Sequence, residues 1–234
     1  MSSELSIRWI KTNFAQRAVF IVFLVLSIAG SLVLFMTGRP NLSDSIDRFL
    51  GAQDLPVLIA PVLLCMIWFG ASRLNHMEWI RTSAQVEFRS NLKWIAQCTL
   101  FVTLYYFAIW LLAFFCIPGY EWRANVVQLP SVTVLLVVSA FCQLFVFGLA
   151  LYLLVNLGIP WGWAVPLMLV FMTMICNSIE TWARPFVEAV FYFLKIVEPS
   201  FGAIMVQKVI PCVSAAVILV AGNWWFYSRR DRLV

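Results

Sequence analysis

Six apolar runs dominate the chain, at residues 18–36, 55–72, 94–117, 131–157, 163–179 and 209–227. Each comes close to the roughly 20 apolar residues that a helix needs to cross a bilayer. The pattern therefore predicts an all-α polytopic transmembrane bundle of about six spans. Pro56 stands near the start of the second run, and Pro61 is expected to kink it. Polar stretches separate the runs. Residues 39–54 carry Asp44, Asp47, Arg48 and Asp54, residues 73–93 form the most charged segment, and residues 118–130 make a short loop. Gly158-Ile159-Pro160-Trp161-Gly162 reads as a tight turn between the fourth and fifth spans.

Two segments admit more than one reading. Residues 2–17 place Ile7, Ile10 and Phe14 at helical spacing, with Glu4, Arg8 and Lys11 on another face. That is the pattern of an amphipathic helix lying on a membrane surface; a frayed basic tail is the alternative. In residues 180–207, Pro185 suits a helix start, Val187, Val190, Leu194 and Val197 make an apolar face, and Glu188 and Lys195 lie opposite. Such a segment lies in the interface or dips partly into the membrane. A seventh span there would put the two ends of the chain on opposite sides. The first run also stands behind Arg8, Lys11 and Arg17, where a secretory signal would be. It is long for a signal core, and Thr37-Gly38-Arg39-Pro40 is a poor cleavage site, so it is read as a span.

Composition strengthens the membrane reading. With 63% hydrophobic and 12% charged residues and a mean hydropathy of +0.92, the chain has too little polar side chain to cover a water-facing surface. Six crossings and their short loops leave no room for a separate soluble unit, so residues 1–234 read as one transmembrane domain. The net charge of +5 is better explained by topology than by nucleic acid, which is not expected as a partner. Ten of the sixteen Lys and Arg fall on the side that collects the N-terminus, the 73–93 segment and the C-terminus. Cytoplasmic loops retain such residues, so both ends are expected inside. Trp79, Trp94, Trp161, Trp163, Trp224 and Trp225 fall at that same expected boundary, where indoles prefer to lie. The six cysteines sit in or beside apolar runs with no C-x-x-C pair, as small hydrophobes do.

Chemistry narrows the functional classes. The six runs contain no Asp, Glu, Lys, Arg or His at mid-membrane depth, which argues against a proton- or sodium-coupled transporter. The neutral polar residues in or beside the runs include Ser27, Ser31, Thr103, Gln143, Thr173, Asn177, Ser214 and Asn223. Most are expected to bond helix to helix, with Gln143 and Asn177 the candidates for lining a path. An enzyme is not expected. His76 is the single histidine, no metal site is expected, and neither a nucleophile elbow nor a phosphate loop occurs. Any ATP used must be bound by another chain.

The segment from Arg73 to Lys93 carries the most information. Thr82-x-x-Gln85 is a capping-box pattern, and Glu78, Arg81, Glu87, Arg89 and Lys93 alternate with Trp79, Ile80, Val86 and Phe88. Charge interleaved with large apolar groups suits docking on a partner protein; an ordinary positive-inside loop is the other reading. The layout resembles the membrane subunits of type-2 ABC exporters, particularly the short permeases of bacterial peptide and antibiotic export or self-immunity systems. The parts that carry the resemblance are residues 2–17, 73–93, 158–162 and 180–207, and the aromatic-then-basic ending Trp224-Trp225-Phe226-Tyr227-Ser228-Arg229-Arg230-Asp231. The Gly-Thr pair frequent in that family before the third span is missing. The resemblance implies an N-terminal interface helix, a cytoplasmic coupling helix at 73–93 and partly re-entrant helices between spans five and six. It implies an ATPase docking on Glu78, Trp79, Arg81, Glu87, Arg89 and Lys93, with ATP and Mg²⁺ on that partner and no cofactor in this chain. It further implies a second permease copy, lipid contact, and a bacterial inner-membrane location. The alternatives are a non-transporting assembly or sensor partner, and a secondary transporter or channel.

Overall fold

The computed structural model describes residues 14–37, 49, 55–70, 84–116, 129–181, 183–194 and 200–229. The regular structure among them is entirely helical: α1 Phe14–Thr37, α2 Leu55–Gly70, α3 Ala84–Cys116, α4 Leu129–Asn156, α5 Trp161–Glu180, α6 Arg184–Val190 and α7 Phe201–Arg229. A 3₁₀ turn, Tyr192–Leu194, follows α6. Four of these helices, α1, α3, α4 and α7, are long and apolar enough to cross a membrane; α2 and the Trp161–Ile175 part of α5 are shorter apolar helices. The described residues thus form an all-helical bundle with the spans of a membrane protein.

Neighbour contacts fix the direction of each helix. Phe20 meets Phe69 while Gly30 lies against Leu58, so α1 and α2 are antiparallel. Asn91 bonds Tyr152 while Gly148 lies against Ile95, which makes α3 and α4 antiparallel. Asn156 bonds Asn223 at one end, and Cys142 and Cys212 line one groove nearer the other, so α4 and α7 run parallel. The residues Glu87, Arg89, Lys93 and Arg229 thereby gather at one end of the bundle, here called the charged end.

Burial ranks the helices. Of the apolar stretch of α4, 61% is buried, against 17% for α1. The first is the axis of the bundle and the second is peripheral. Val19, Ile21, Val22, Val25 and Leu26 on α1 stay exposed, as lipid-facing side chains do, because hydrocarbon solvates them as well as a protein core would.

Two prolines explain the irregular turns. Leu55–Ile59 and Met205–Val209 are wound as π-helix, and each ends two residues before a proline, Pro61 and Pro211. A proline has no N–H to donate and its ring crowds the carbonyl four residues back. Widening the preceding turn relieves that clash without ending the helix. The disruption expected at Pro61 thus takes the form of a π turn before it. The structure adds a second one before Pro211, and it carries α7 back to Phe201, eight residues earlier than the run starting at residue 209. Helix α3 also starts earlier than residue 94, because the charged stretch from Ala84 is continuous with the apolar part.

Close approach uses glycine at one contact in particular. A Cβ on Gly70 would fall inside the Trp94 indole, so the end of α2 approaches α3 at Trp94 only because that side chain is absent. Phe49 stacks on Tyr106, 4.5 Å between ring centroids, with its ring tilted at 67° to Trp110.

Candidate functional site

Three places in the bundle carry chemistry or space. The first is the charged end of α3. At 33 residues, α3 is about 50 Å long, well over the roughly 30 Å hydrocarbon thickness of a bilayer. Its first ten residues carry Glu87, Arg89 and Lys93, which are polar enough to lie in water or headgroups. Arg89 and Lys93 are exposed and Glu87 is half-buried. The Tyr227 hydroxyl donates to the Glu87 carboxylate, tying α3 to the end of α7. Phe88 packs edge-on to Trp224 at 5.2 Å and beside Tyr227 and Tyr152. One turn on, Asn91 Nδ2 donates to the Tyr152 hydroxyl at 3.3 Å, which ties α3 to α4. Gln85, Phe88, Arg89, Leu92 and Trp224 enclose a cleft of about 300 Å³. Arg229 closes this end by lying over the Trp225 ring at 3.6 Å. Of the docking residues read from the sequence, Glu87, Arg89 and Lys93 therefore share one end of one helix. Glu78, Trp79 and Arg81 lie outside the described residues.

The second place is the polar interior. Several neutral polar residues do bond helix to helix. Ser27 meets the Tyr105 hydroxyl at 2.9 Å, and Asn223 accepts from Asn156 Nδ2 at 2.8 Å while donating to the Leu149 carbonyl at 3.0 Å. Thr103, Thr173 and Ser214 instead donate to the carbonyl four residues back on their own helix. Gln143 does neither. It is fully buried on α4, and neither amide atom has a hydrogen-bond partner among the described residues. Ser139, one turn earlier on the same face, is also fully buried, and its hydroxyl has no hydrogen-bond partner among the described residues. The backbone of Asn177 lies in α5.

Lys208 lies outside the six apolar runs but inside the long apolar helix Phe201–Arg229. It sits in the π turn of α7, it is fully buried, and its ammonium has no hydrogen-bond partner among the described residues. Sequence reading missed it because it stands one residue before the run at 209–227, and a window that starts at the run assigns it to a loop. The overlooked signal is Phe201-Gly202-Ala203-Ile204-Met205-Val206, an apolar stretch on its other side. Gln207 and Lys208 together stand between two apolar stretches.

The third place is an apolar cavity of about 290 Å³ between α4, α5, α7 and the turn after α6. Phe147, Met168, Met172, Phe193 and Leu219 are among its lining residues. Edge-to-face contacts of Phe193 with Phe147 and Phe191, and of Phe171 with Phe191, hold the short elements after α5 against the long helices. Comparison with family models, with curated proteins and with solved structures gave no match for this chain.

Proposed function

We propose that this chain is the membrane-spanning permease subunit of an ABC exporter, paired with a second permease copy and driven by a separate ATPase that binds ATP and Mg²⁺. In this reading the two shorter helices complete six spans, the short elements between α5 and α7 are partly re-entrant, and the charged end faces the cytoplasm across a bacterial inner membrane.

The observation that carries the reading is the charged extension of α3. A partner pushing on residues 84–93 would act on a helix that continues without a break into its apolar part. The Glu87–Tyr227 and Asn91–Tyr152 contacts would pass the displacement to α7 and α4 at once. Motion of that kind is rigid-body displacement of packed helices. Support for a transport role also comes from the short elements α6 and Tyr192–Leu194, whose residues line a cavity beside the long helices.

Charge reversal tests the docking. Glu78→Lys and Arg81→Glu should each reduce the amount of ATPase that co-purifies with the tagged permease, whereas Arg123→Glu, in the expected outer loop, should not. Truncating a buried interfacial charge pair commonly costs about 2–5 kcal/mol, enough to abolish recovery, and an exposed pair costs much less. Equal recovery from all three variants at matched expression would return residues 73–93 to an ordinary solvated loop. A second reading, a gradient-driven transporter, is favoured by one observation: Lys208 is an ionisable group buried within a long apolar helix. Uptake driven by a proton gradient in vesicles holding the purified chain alone would select it.

A further inference from the structure

Lys208, Gln143 and Ser139 are buried polar side chains from two helices, and they lie within about one turn of each other along the bundle. Helices α4 and α7 run parallel with Cys142 and Cys212 on one groove, and Lys208 precedes Cys212 by one turn as Ser139 precedes Gln143. The π turn that holds Lys208 packs against α4. Together these side chains offer an ammonium with three hydrogens, an amide with two and a hydroxyl with one. Donors and one positive charge outweigh the acceptors, and none of these groups has a hydrogen-bond partner among the described residues. Water would satisfy the hydrogen bonds of such a cluster but leave its charge buried, and a buried charge is retained where something opposite neutralises it.

The apolar cavity begins one turn beyond Gln143 and two turns beyond Lys208. Phe147 follows Gln143 by four residues and Ala215 follows Lys208 by seven, which is about 6 Å and 10 Å along the respective helices. A donor-rich cationic cluster next to a 290 Å³ apolar cavity suits one kind of molecule. We propose that Lys208, Gln143 and Ser139 bind the anionic head of a single-chain amphiphile, a carboxylate or a phosphate, whose hydrocarbon chain fills the cavity between α4, α5 and α7. The proposal concerns binding alone and stands without the ATPase.

The probes are oleate, oleoyl-lysophosphatidic acid and uncharged oleyl alcohol, bound to the delipidated full chain in dodecyl maltoside. Both anions should bind wild-type protein at least tenfold more tightly than the alcohol, and the tighter of the two identifies the headgroup. Lys208→Met should erase that difference while leaving the alcohol unchanged within twofold. Leu219→Trp, which fills the cavity without touching the charge, should weaken all three. Ligand-free Lys208→Met should melt at or above the wild-type temperature, because it removes an unneutralised charge. Equal wild-type binding of alcohol and anions, a preference that survives Lys208→Met, or unchanged binding in Leu219→Trp would each overturn the proposal. A lower melting temperature for Lys208→Met would overturn it as well, by showing that the ammonium serves the fold.

Discussion

Asn223 joins two helices through one side chain. Its amide oxygen accepts from Asn156, and its amide nitrogen donates to the carbonyls of Leu149 on α4 and Leu219 on its own helix. Both asparagine side chains are buried, where an amide left without a partner is costly. Asn223→Leu should therefore cost about 1–2 kcal/mol, the upper range for interhelical hydrogen bonds in membranes, because Asn156 and the Leu149 carbonyl both lose a partner. Reversible unfolding in mixed micelles would measure it, and Asn156→Leu in the same background should add little. The sequence makes Asn223 conspicuous as a polar residue in an apolar run but is silent on Asn156 as its partner. Two positions 67 residues apart meet through the parallel register of α4 and α7, and hydropathy carries no register. Gln143 was equally conspicuous. Its unsatisfied state is visible only once the surrounding side chains are in place.

Among the elements, those set by local chemistry were the most legible. The turn joining α4 to α5 is an example: Gly158 takes φ +99°, a left-handed conformation that a side chain resists, and Pro160 stands at the start of the next helix. Its open surroundings leave room for a methyl group, so backbone strain alone opposes substitution. Gly158→Ala should lower stability by about 1 kcal/mol, while Gly162→Ala, with equal space and no positive φ, should be neutral or slightly stabilising. Thermal melting of the two variants side by side would separate strain from crowding. Boundaries set by continuation were less legible. The Ala84–Lys93 stretch reads as a loop by hydropathy because it is charged. It is helix because nothing in it breaks a helix, and because Phe88 and Asn91 find partners on α4 and α7.

For the molecule as a whole, the pattern of apolar runs was enough to read helices long and apolar enough to cross a membrane, four of which stand among the described residues, and the arrangement of the helices was not legible in it. That α4 is the axis and α1 the periphery follows from packing rather than hydropathy, since both are strongly apolar. Orientation is a separate question that positive charge addresses through the insertion machinery. With the native cysteines replaced, a cysteine at Ser83 should be labelled from the cytoplasmic side, and cysteines at Asn125 and Ser200 from outside. Labelling of the Ser83 position by an impermeant reagent in intact cells would invert the topology and move the charged end away from any cytoplasmic ATPase.

The π turns before Pro61 and Pro211 bear on which lengths of chain this architecture accepts. A π turn closes its hydrogen bond one residue later than an α turn, so it stores one residue more than the path requires. Elsewhere in α7, losing a single residue would rotate every later side chain by about 100° and swing Asn223 away from Asn156. Within Met205–Val209 the same deletion could be absorbed by relaxation to an ordinary turn, with everything beyond Pro211 left in register. These two turns are thus the places where related chains of slightly different length can keep the same contacts.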